Sequence, residues 1–86
     1  MAKPDKTLLQ VLSGRSDANI RFKDLCSLLE SLGFARRIKG SHFIFYRDGV
    51  EELINLQEEK SKAKVYQVRQ VRRVIVKHGL AELDDA

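Results

Sequence analysis

Gly40, Ser41 and His42 form a tight corner between two strand-like runs and set one imidazole in a chain otherwise rich in Lys and Arg. Imidazole is the side chain whose ordinary titration lies nearest neutral pH, so it can take up and release a proton where Lys and Arg stay charged. With cations around it, that points to proton-transfer chemistry on a polyanion. The plainer reading of the same tripeptide is a turn glycine followed by a half-exposed strand start. Lys39 lies just before the turn and Arg37 two residues earlier, so a strand places both on one side, where either could neutralise a phosphate. Ser41 either orients a ligand or satisfies turn backbone, and its position in the turn favours the second role.

A second group lies near the C-terminus. At about 100° per residue, Tyr66, Arg69, Arg73 and Lys77 fall on one helix face opposite Val68, Val71 and Ile75, with Gln70 beside them and Arg72 to one side. This stripe is either a solvated surface or a row of phosphate contacts that includes an aromatic. His78 in the last helical turn suits the negative end of the helix dipole. Cys26, between Leu25 and Leu28, reads as a buried thiol that fills space. No His/Cys cluster or paired carboxylates show metal-ligand spacing, so neither metal nor cofactor is expected.

The elements that hold these residues follow from periodicity and punctuation. A short helix starts at Pro4 or Asp5, runs through Leu8, Leu9, Val11 and Leu12, and stops at Ser13-Gly14. Residues 15–19 have turn composition. Phe22, Leu25, Cys26, Leu28, Leu29 and Leu32 then recur at helical spacing until Gly33. Residues 34–39 read as a strand in which Arg36 interrupts the apolar alternation, and residues 42–47 are the clearest strand. Asp48-Gly49 signals a hairpin into a third strand over residues 53–57, followed by a charge-rich loop over 58–64. Residues 65–79 hold many β-branched side chains, yet alternation fails and the helical face persists to Gly79, so a helix is expected.

The 86 residues suffice for one domain with one small core: an N-terminal helix and turn over 1–19, a main unit over 20–80 and an acidic tail over 81–86. Sixteen Lys and Arg oppose twelve Asp and Glu, and the carboxylates cluster at Glu51-Glu52, Glu58-Glu59 and Asp84-Asp85. The remaining surface is therefore more positive than the net +4, which favours nucleic acid or an acidic protein as partner. A single cysteine and no signal or membrane-spanning run point to a reducing cytoplasm and no membrane partner.

The order of these pieces resembles the HicA-type mRNA interferase toxins, partners of HicB antitoxins. The resemblance spans roughly residues 20 to 80 and rests on a helix ending in Leu32-Gly33-Phe34, a strand, Gly40-Ser41-His42 followed by Ile44-Phe45, an Asp-Gly hairpin, a third strand and a final helix. Asn55-Leu56-Gln57 and residues 64–72 look like one branch of that family. It implies an α+β fold of α-β-β-β-α order similar to double-stranded-RNA-binding domains, with a three-stranded antiparallel sheet and helices on one face, here preceded by a short helix. It also implies ribonuclease activity on mRNA resting on His42, and neutralisation by a HicB-like antitoxin. The chain departs from many members in lacking a Val-Pro and histidine pattern on the third strand and in carrying the extra N-terminal helix.

Cleaving RNA without a metal needs a base for the 2′-hydroxyl proton, an acid for the leaving oxygen and positive charge near the phosphorus. His42 is the candidate for proton transfer; Arg37, Lys39, Arg69, Arg73 and Lys77 are candidates for phosphate contact, with Ser41 at the turn. Two other readings stay open. A domain of this layout with a basic helix can bind A-form RNA by shape without chemistry, and a basic surface can serve only to dock an acidic protein.

Overall fold

A computed structural model describes residues 6–81. The first helix's start at Pro4 or Asp5, and residues 82–86 of the acidic tail, lie outside the described residues. Helix α1 spans Lys6–Ser13 and is followed by one 3-10 turn at Asp17–Asn19. Helix α2 covers Phe22–Ser31, strands β1, β2 and β3 cover Ala35–Lys39, His42–Arg47 and Val50–Gln57, and helix α3 covers Val65–His78. The fold is thus α+β, with an open three-stranded antiparallel sheet in the order β1-β2-β3 inside an α-β-β-β-α layout and α1 added in front. No helix among the described residues is long and apolar enough to cross a membrane.

Alternation along β2 and β3 assigns the two sheet faces. Phe45, Ile54 and Leu56 are fully buried and pack with Leu25, Leu28 and Leu29 of α2 and with Val68, Val71 and Ile75 of α3. Burying side chains of this size stabilises a fold by roughly 1.5–3 kcal/mol each, so this layer is the main source of cohesion. The other face of β2 carries His42, Ile44 and Tyr46. There Tyr46 and the β3 residue Leu53 remain 43% and 60% exposed.

Arg36 takes a core-side position in β1, opposite Phe45. It interrupts the apolar alternation and finds partners on α2 and β2: Nε donates to Glu30 at 3.1 Å, and the guanidinium lies 5.6 Å from the centre of the Phe43 ring. Phe43 in turn meets Phe22 edge-to-face at 5.0 Å.

One observed feature differs from the sequence expectation. The third strand starts at Val50, and its register against β2 shifts between the partners of Phe45 and Arg47, Ile54 and Val50, which gives β3 extra residues there. Residues 58–64 form the expected loop, held as a pinned turn. Glu59 bridges Lys62 while Lys60 and Ser61 adopt left-handed φ of 50° and 69°, and Ala63 N–H donates to the Ile20 carbonyl at 2.9 Å. The first short helix is integrated into the core through Leu8 and Val11. Arg72 ties it down by donating to the Val11 carbonyl at 2.9 Å and to both Asp17 oxygens at 3.0 and 3.1 Å. Gly14 ends α1 at φ +72°, and a Cβ there would meet Arg72 Nη1 at 3.3 Å.

Candidate active site

His42 begins β2 directly after a two-residue turn in which Gly40 takes φ +61°. A positive φ at the first central position is the type II′ hairpin requirement, which glycine meets without steric cost. The turn fixes the register Lys39↔His42 and Arg37↔Ile44, and on the other side of β2 His42 pairs with Gln57 of β3. Cross-strand partners in antiparallel sheet share a face, so Lys39, Arg37, His42 and Gln57 lie together on the side away from the core. Both cations expected beside His42 from strand spacing are therefore on its face.

The imidazole is oriented from β3. His42 Nδ1 lies 3.0 Å from Asn55 Oδ1. A carboxamide oxygen only accepts, so Nδ1 carries the hydrogen in this contact and, in the neutral ring, Nε2 keeps its lone pair. Next to it, Gln57 Nε2 donates to Ser41 Oγ at 3.1 Å. Ser41 thus ties the turn to β3 through a side-chain contact, a different bond from the turn-backbone role expected of it. The His42 side opens into a cleft of about 190 Å3 whose other wall is Tyr66, Gln67 and Gln70 of α3, with Leu53, Asn55 and Gln57 as floor. Gln67 is buried and structural, its Oε1 accepting the Lys64 N–H at 3.3 Å.

The basic stripe on α3 divides into separate surroundings. Arg69 lies with Lys60, Lys62, Lys64 and Tyr66 around a groove at the start of α3, and its Nε is 3.8 Å from Asp17. Arg73 and Lys77 line a different depression together with Glu52 and Val76. Lys77 Nζ donates to Glu52 at 2.9 Å, and His78 Nε2 contacts the same carboxylate at 2.8 Å. The Lys77 and His78 hydrogen bonds hold the Glu52 carboxyl down at about 2. Arg73 and Lys77 are not among the residues lining the His42 cleft. Cys26 is buried, and burial pushes its thiol up to about 11, so it stays protonated and unreactive at neutral pH. Among the described residues, no group of three or more His, Cys, Asp or Glu side chains is placed to hold a metal ion.

Asn55, Tyr66 and Gln70 are the site residues that reasoning from the chain did not single out as partners of His42. A strict hairpin continued from Arg47↔Val50 would set His42 opposite Asn55; the bulge slides that position to Gln57 and leaves Asn55 diagonal to the ring. The shared face was readable from alternation, whereas the partner depended on the bulge. Compared with protein-family models, with curated proteins and with solved structures, the chain matches none of them.

Proposed function

We propose that this protein is a metal-independent endoribonuclease of the HicA toxin type, acting on mRNA in the cytoplasm with His42 as its proton carrier and silenced by a HicB-like antitoxin. The observation that carries the reading is the solvent-open imidazole oriented by Asn55, with Lys39 opposite it in register. In this reading Nε2 takes the proton from a ribose 2′-hydroxyl as the 2′-oxygen attacks the adjacent phosphorus. The bond from phosphorus to the 5′-oxygen breaks, the departing oxygen takes a proton from water in the open cleft, the hydroxide so formed takes back the proton held on Nε2, and a 2′,3′-cyclic phosphate remains. Lys39 and Arg37 offset the charge that builds on the phosphoryl oxygens, a contribution worth as much as the proton transfer itself. The antitoxin covers the His42 face, where Ile44, Tyr46 and Leu53 supply apolar surface beside the cations.

Induced expression in a bacterial host tests this. The wild type should arrest growth and degrade mRNA, His42→Ala should do neither, and the purified wild type should cleave RNA in excess chelator. Equal growth arrest by a folded His42→Ala protein, or activity that returns only with one added metal, would remove the proposal.

A further inference from the structure

The groove at the start of α3 is not needed for proton transfer, yet it adjoins the reactive corner. Its lining holds Lys60, Lys62, Lys64 and Arg69, with Glu59 as the one carboxylate among its described residues, in a volume of about 830 Å3. Asp17 already accepts both hydrogen bonds of the Arg72 fork, and the Arg69 side chain remains 61% exposed. The Lys62 side chain donates to Asn19 in an exposed hydrogen bond at 3.3 Å. Tyr66 joins the two sites, because it lines both this groove and the His42 cleft and is 62% exposed.

We infer that this surface is the track of single-stranded RNA: phosphates lie along Lys60, Lys62, Lys64 and Arg69, one unpaired base stacks on Tyr66, and the next ribose-phosphate unit enters the cleft at His42. Cations alone attract any polyanion, and it is the exposed ring between the two sites that selects the strand form. Stacking on a side chain requires a base with a free face, which a duplex keeps inside its own stack. The cleft beyond the ring, about 190 Å3, is on the scale of one base or one ribose-phosphate unit. The inference rests on the ribonuclease reading for its substrate, but the binding it describes requires no turnover.

The experiment uses the full chain carrying His42→Ala, titrated with a short labelled RNA, alone and annealed to its complement, at several salt concentrations. The single strand should bind more tightly than the duplex. Tyr66→Ala should weaken single-strand binding by about tenfold or more, while Tyr66→Phe, which keeps the ring, retains it. Lys60→Ala and Lys64→Ala should each flatten the dependence of log affinity on log salt by about 0.7. Thermal melts accompany each variant, and Tyr66→Phe controls for loss of folding. Tighter binding of the duplex, binding of neither form, or an unchanged affinity in Tyr66→Ala would overturn the track. Cleavage by the single His42→Ala protein, assayed separately, would instead count against the catalytic reading and leave the track standing.

Discussion

At the level of single residues, the placement of one hydrogen separates a reactive imidazole from an ordinary surface histidine. Asn55 accepts from Nδ1 and thereby leaves the lone pair of the neutral ring on Nε2, in a residue that lines the cleft with Tyr66 and Gln70. If that orientation matters, Asn55→Ala should leave the fold unchanged, since the side chain is exposed, yet lower kcat on the order of 10²-fold with little effect on KM. Asn55→Asp should keep the acceptor and retain more activity than the alanine variant. Steady-state cleavage of a defined RNA checks both. A second residue-scale expectation concerns Glu52. The hydrogen bonds from Lys77 and His78 hold its carboxyl at about 2 against an ordinary 4.5. A folded value below the unfolded one gives stability that is present above about pH 4.5 and drains away as the pH falls toward 2. Melting temperatures of wild type and Glu52→Gln should therefore differ at about pH 6 and converge as the solution approaches pH 2; a gap that persists at the acid end would mean the pair contributes through packing alone.

At the scale of elements, the two-residue turn at Gly40-Ser41 and the bulge in β3 set where functional groups meet. The helices, the order of the strands and the faces of β2 were legible in the sequence because periodicities of 3.6 and 2 and glycine punctuation record burial directly. The bulge left no comparable signal, so the pairing of His42 with Asn55 and Gln57 was hidden even though both side chains were expected on a strand. The loop over 58–64 was opaque for another reason. Lys60 and Ser61 take left-handed φ without glycine, which costs roughly 1–2 kcal/mol per residue in the absence of support. Support comes from outside the segment, as Phe22 N–H donates to the Ser61 carbonyl at 3.0 Å and Lys62 bridges Arg21. The stripe on α3 was visible as a helical face, but its division between a groove beside Tyr66 and a Glu52-paired end depends on which strands and turns lie against each helical turn.

At the scale of the whole molecule, the fold is a frame that keeps one sheet face open. Arg72 closes that frame by joining α3 to Asp17 and to the end of α1 across more than fifty residues of chain. Its side chain is 25% exposed and that of Asp17 12%, so little solvent competes for the pair. Arg72→Met should cost roughly 2 kcal/mol, read from urea unfolding, and adding Asp17→Asn should cost less than the separate effects combined. His42 lies at the opposite extreme: it is exposed at a strand end and contributes almost nothing to the core. Under the proposed function, reactivity and stability are carried by different residues, and one comparison exploits that separation. Purified wild type and His42→Ala are melted side by side and then assayed for cleavage of the same single-stranded RNA in excess chelator. Coincident melting curves, cleavage by the wild type and none by His42→Ala are expected; equal cleavage by both proteins would contradict the role proposed for His42.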